Sequence, residues 1–136
     1  MYEVTWLPIL VAGIIAIVIG FAWYHPKVFG TAWMRMSGIT PESVESGKKR
    51  MPIVIVVATL AAMLVAYVMN HFGVAWGVFD IIGAIELGIW TWVGFVAPIM
   101  LGIVLWEQRS FKLYVINASY WLVTFIAISV TLVLVG

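Results

Sequence analysis

The sequence predicts an all-α integral membrane four-helix bundle with a short cytoplasmic interfacial helix. Three observations predict it. Hydrophobic residues make up 65% of the 136 residues and charged residues 10%, where a soluble domain carries ~25% charged residues. The apolar residues gather into four runs, each near the ~20 residues that a ~30 Å hydrocarbon core requires. All 7 basic residues fall between runs one and two or between runs three and four. A water-soluble enzyme is excluded, and residues 1–136 read as a single four-span membrane domain. A net charge of +1 provides no basic face able to neutralise many phosphates, so no nucleic-acid partner is expected. The absence of cysteine removes disulfides, thiolate metal sites and Cys nucleophiles.

The first span covers about 6–24. Its only early charge is Glu3, where a secretory signal would be basic. Pro8 sits in the first turn, where a missing N–H is harmless, and Pro26 stops the helix. The segment 27–51 has structure of its own. Val28, Phe29, Ala32, Trp33 and Met36 share one helical face, with Lys27, Thr31 and Arg35 opposite and Gly38 as a stop, so a short amphipathic helix in the interface is expected. Thr40-Pro41-Glu42 has the form of an N-cap, first helical residue and first-turn acid. It predicts a second short helix up to Gly47. Lys48-Lys49-Arg50 either attracts anionic lipid or only fixes topology; the second is preferred, three charges being few.

The second span covers about 52–72 and is expected to end at Asn70-His71-Phe72-Gly73. The third, about 81–106, would measure roughly 39 Å at ~1.5 Å per residue, so it must tilt or bend, and Pro98 supplies a place to bend. The fourth covers about 113–135. With Lys27, Arg35, Lys48, Lys49 and Arg50 in one connection and Arg109 and Lys112 in another, the positive-inside rule places both basic loops in the cytoplasm and both termini outside. Small residues recur every fourth position as Ala12, Ala16 and Gly20 in span one and Ala58, Ala62 and Ala66 in span two. Such stripes let backbones approach, so these spans are expected to pack as an antiparallel pair. Ala84 and Gly88 give span three a shorter version.

Glu86 is the sharpest chemical feature. Counted from Asp80 it lies about 9 Å below the outer rim at ~1.5 Å per residue, one turn before Trp90 on the same face. An ionisable residue at that depth is either a proton or cation site, or a structural carboxyl that is protonated and hydrogen-bonded across the bundle or reached by water from outside. The second is preferred, because no other intramembrane charge answers it. Glu86, Asp80 and His71 form the candidate ion or proton site, and with Glu3 they could gather at the outer rim, although their spacing carries no metal signature. At the other end Tyr24, His25, Asn117, Tyr120 and Glu107 lie at similar depth and form a candidate cytoplasmic polar knot. Asn117, Tyr120, Trp121, Thr124 and Thr131 continue it as a stripe that must face the bundle or a partner. His25 and His71 are a bilayer apart and cannot share a metal. No nucleophile triad, phosphate loop or acid pair appears, so no enzyme, metal or cofactor is expected.

Trp23-Tyr24-His25-Pro26 followed by Phe29-Gly30 and Trp33 resembles the W-Y-x-P…F-G-x-x-W opening of an uncharacterised family of small prokaryotic four-span membrane proteins, a domain of unknown function. Trp92-Val93-Gly94-Phe95, Glu107 and Asn117-Ala118-Ser119-Tyr120-Trp121 fit the same pattern, which covers essentially the whole chain. The resemblance implies a four-helix membrane fold and an inner-membrane location, and no activity. Ser110-Phe111 departs from the small, proline-containing turn of that pattern, and an acid at Glu86 is no part of it. The motifs cluster at the cytoplasmic ends of spans one and four, where a knot under Trp23, Trp33 and Trp106 would tie the interfacial helix to the bundle.

The function expected is that of an interaction or scaffold protein, a homo-oligomer or an accessory subunit of a larger membrane complex. A small transporter or channel using Glu86 is the alternative, and a cofactor- or lipid-binding protein using Trp90, Trp92 and His25 is a third.

Overall fold

The computed structural model describes residues 1 and 3–136. Its helices are α1 (Trp6–Trp23), α2 (Thr31–Ser37), α3 (Pro41–Gly47), α4 (Met51–Ala75), α5 (Ile81–Phe95), α6 (Ala97–Met100), α7 (Gly102–Leu105) and α8 (Phe111–Val135). Four helical runs are long and apolar enough to cross a membrane: α1, a run through α3 and α4, a run from α5 to α7, and α8. The chain is a multi-span membrane protein. The connections holding the basic residues lie at one end of the bundle, the basic end; both termini lie at the other, the terminal end.

α8 is the centre of the molecule. α1 packs along one side of it and α5 along the other, while α4 is held chiefly by α1. The buried share of the crossing window is 44% for α8 and 11% for the α3–α4 run. The small-residue stripes explain this arrangement. Ala12, Ala16, Ala62 and Ala66 are all buried, and where α1 meets α4 a Cβ on Gly13 would come within 2.6 Å of Met63; absent side chains let the two backbones approach and gain dispersion contacts. The shorter stripe serves α8: a Cβ on Gly88 would come within 2.8 Å of the Ile126 Cα. α4 and α5 barely meet. Between them lies a groove of about 430 Å³ lined by apolar side chains and Thr91, whose hydroxyl donates to the Leu87 carbonyl at 2.7 Å.

Two expectations need correction. The second span does not stop at Gly73; α4 runs on to Ala75, and the turn comes at Gly77 with φ 68°. Gly73 is buried against Met1, and packing overrides a glycine's low helix propensity, a penalty of only about 1 kcal/mol. The second short helix is present from Pro41 to Gly47, as its cap sequence predicts, and it joins the span that follows. α3, capped by reciprocal Thr40–Ser43 bonds, leads through one tight turn at Lys48–Arg50 into α4, a rod of 35 residues or about 52 Å at ~1.5 Å per residue. The interfacial helix is also shorter than expected, because Pro26–Gly30 is wound with wider i→i+5 bonds. That widening leaves Val28 54% exposed. The bend expected at Pro98 is present as breaks near Val96 and Leu101, where the proline cannot donate to Gly94.

Candidate functional site

The residues of the W-Y-x-P…F-G-x-x-W pattern build one junction between α1, α2 and α8. α1 closes its last turn with the Tyr24 N–H donating to Gly20 at 3.0 Å, and Pro26 prevents continuation. The chain reverses through the wide turn, in which the Gly30 N–H donates to the His25 carbonyl at 2.9 Å and the Thr31 hydroxyl to the Pro26 carbonyl at 3.0 Å. A Cβ at Gly30 would collide with the Tyr24 carbonyl oxygen, so glycine permits the reversal. The reversal lays Phe29 on Trp23 and Trp33 on Tyr24, each with ring centroids 4.9 Å apart.

Both residues at the end of α1 then reach α8. The Trp23 indole donates to the Ile116 carbonyl at 3.0 Å and the Tyr24 hydroxyl to Asn117 Oδ1 at 2.7 Å. Tyr120 packs at a tilt against Tyr24, ring centroids 5.5 Å apart, and returns a bond to α1, its hydroxyl donating to the Ala16 carbonyl at 2.9 Å. From the other side, the Trp92 indole of α5 donates to the Ala118 carbonyl at 2.8 Å. A helix carbonyl has a second lone pair to accept such a bond. Within hydrocarbon each of these N–H and O–H groups would otherwise go unsatisfied. Residues 116–120 of α8 therefore gather bonds from α1 and α5, and the chemistry of this junction is mechanical: it fixes three helices in register. Nearer the basic end, the Tyr114 hydroxyl donates to the Ala97 carbonyl at 2.8 Å, bracing the α5–α6 break.

Of the five residues expected in the knot, the structure brings together Tyr24, Asn117 and Tyr120. His25 is exposed, and its Nδ1 accepts the Lys27 N–H at 3.1 Å as a local cap. Glu107 is exposed beside Trp106 in the connection to α8. Of the aromatic belt, Trp23 and Trp33 join the junction while Trp106 is 84% exposed.

At the terminal end Asp80 caps α5, its Oδ1 accepting the Gly83 N–H at 2.7 Å. Glu86 is exposed, not directed across the bundle; with Asp80, Trp76 and Trp90 it lines a surface groove of about 350 Å³. His71 stands apart from this groove, edge-on to Tyr67 at 4.7 Å on α4. Among the described residues, no group of three or more His, Asp and Glu side chains is placed to hold a metal. Trp90, Trp92 and His25 do not converge either: Trp92 is turned onto α8, and Trp90 is 68% exposed.

Sequence reasoning overlooked Asn70. It is buried, and its Nδ2 donates to the Glu3 carbonyl at 3.3 Å, attaching the N-terminal segment to α4. Its signal was available, because Asn70 continues the four-residue spacing of Ala58, Ala62 and Ala66.

The family model described as "Protein of unknown function (DUF1761)" matches residues 7–133, a range containing every motif above, and the chain belongs to that family. No curated protein and no solved structure matches the chain.

Proposed function

We propose that this member of the DUF1761 family acts as an interaction or scaffold protein of the inner (plasma) membrane, as a homo-oligomer or as an accessory subunit of a larger membrane complex, and not as an enzyme. The observation that carries this reading is the second span. α4 packs chiefly on α1 and keeps a long apolar face bare, with Ile53, Leu60 and Leu64 each about 60% exposed or more. Beside that face the α4–α5 seam stays open. A helix held on one side only is a natural seat for a partner helix, which gains the dispersion contacts that lipid supplies poorly. The junction on α8 supports the same reading, since its polar groups serve helix register.

We place both basic loops in the cytoplasm and both termini outside, as the charge bias favours. In that orientation the aromatic junction and the head of the α3–α4 rod lie at the cytoplasmic interface. The test is native mass measurement after extraction in mild detergent, with identification of co-purifying chains. A defined oligomer or stable heteromer supports the proposal; a monomer free of other chains contradicts it.

The transporter alternative rests on Glu86 and its exposed groove with Asp80. An outward-facing carboxylate lines a pathway only when a second copy encloses it, so this alternative also needs an oligomer. Liposome flux abolished by Glu86→Gln would favour it over the scaffold.

A further inference from the structure

We propose that the groove between α1 and α4 at the basic end binds one anionic phospholipid, an acyl chain lying in the groove and the phosphate held by Lys48, with Lys49 and Arg50 on the same turn adding to the positive field around it. The groove has a volume of about 460 Å³, within the ~300–1,000 Å³ typical of small-molecule sites. Ile17, Phe21, Val54 and Ile55 form its walls together with Tyr24 and Tyr120. Both tyrosine hydroxyls already donate elsewhere, to Asn117 and to the Ala16 carbonyl. The groove thus presents hydrocarbon and ring faces, which suit an acyl chain and not a polar solute.

The mouth has the opposite character. Trp33 and Met51 stand at its basic end, and Trp favours the headgroup level. Met51, Val54, Ile55 and Ala58 follow helical spacing, and Lys48 lies three residues before Met51 on that face. Lys48 pairs with Glu45 at 2.8 Å, but the side chains are 64% and 73% exposed, and an exposed pair of this kind contributes little, so a phosphate can displace it. Lys49 and Arg50 are exposed and, among the described residues, have no carboxylate within 4.0 Å.

Charge also selects among occupants. Residues 27–51 carry five Lys and Arg against two Glu, so the same end of a second copy would repel at this mouth, whereas a hydrocarbon chain with an anionic head matches both parts of the site.

The test is native mass spectrometry of the purified protein in mild detergent with equal phosphatidylglycerol and phosphatidylcholine of identical chains. The wild-type protein retains one phosphatidylglycerol, preferred roughly tenfold or more, as expected for a few basic residues near one phosphate. K48Q/K49Q/R50Q brings that preference close to one while the chain still elutes as folded protein. Ala58→Phe, which fills the deep end, lowers retention of both lipids, whereas Ala61→Phe in the α4–α5 groove leaves retention unchanged. Where Ala58→Phe does not fold, Val54→Trp serves in its place. Equal retention of the two lipids by wild type, an unaltered preference in the triple variant, or wild-type retention in the groove-filling variants would each overturn the proposal.

Discussion

At Gly30 there is no room for a side chain, because the Tyr24 carbonyl occupies the space a Cβ would take. Gly30→Ala therefore forces the reversal open, and we expect a loss of about 1–3 kcal/mol, typical of overpacking. It would be read as a lower melting temperature in detergent by tryptophan fluorescence; an unchanged melt would contradict the described turn. Tyr24→Phe removes the bond to Asn117 while keeping the ring contact with Trp33, and a loss of about 0.6–1.7 kcal/mol is expected for one interhelical bond in a membrane. Asn117→Leu should cost at least as much, since it leaves the tyrosine hydroxyl unpaired; stability indifferent to both changes would remove the junction's mechanical role. Ser129 behaves oppositely. It is 0% exposed, and its hydroxyl has no partner among the described residues, so Ser129→Ala should leave the melting temperature equal or higher, because burying an unpaired hydroxyl is itself unfavourable. A loss above about 1 kcal/mol would reveal a missed partner. The sequence made Asn117 and Tyr120 legible through helical spacing and Tyr24 through its depth at the end of the first span. It could not separate His25 from them, since His25 leaves the helix in an extended conformation (φ −66°, ψ 141°) and caps the turn that follows.

Among the elements, α5 and α8 come close enough at Gly88 that the facing surface is the backbone of Ile126. Backbone cannot rotate aside as a side chain can. Gly88→Leu should therefore push α5 away, break the Trp92–Ala118 bond and lower stability by more than the same change at Gly94, which has nothing within 4 Å of its Cβ position. Comparing the melts of the two variants checks this, and equal effects would contradict the packing described. Alanine and glycine spacing made the α1–α4 contact legible, and Pro98 made the bend legible. The rod formed by α3 and α4 was not. Its Lys48–Arg50 link has the composition of a loop, and only a single tight turn distinguishes continuing the helix from ending it. The end of α4 escaped for a related reason: glycine disfavours helix locally, but the buried contact between Gly73 and Met1 decides the outcome.

At the scale of the whole molecule the bundle is asymmetric. α8 is wrapped by its neighbours, α4 is held mainly on one side, and the seam between α4 and α5 is open. Hydropathy made the four spans legible because crossing a bilayer requires little beyond length and apolarity. It could not rank them by burial, since a lipid-facing leucine and a core leucine look alike in sequence. Nor could depth alone tell that Glu86 faces outward, because depth gives no azimuth. On the proposed reading, the bare face of α4 is where this protein meets another helix. The chain contains no cysteine, so single cysteines can be introduced one at a time and cross-linked in native membranes with a short thiol-to-thiol or thiol-to-amine reagent. Cysteine in place of Leu60 or Leu64 should yield a defined cross-linked species, while cysteine in place of Ala62, buried against α1, should not. Cross-linking absent from the α4 face, or equally strong at every lipid-exposed position of α1, α5 and α8, would contradict the account.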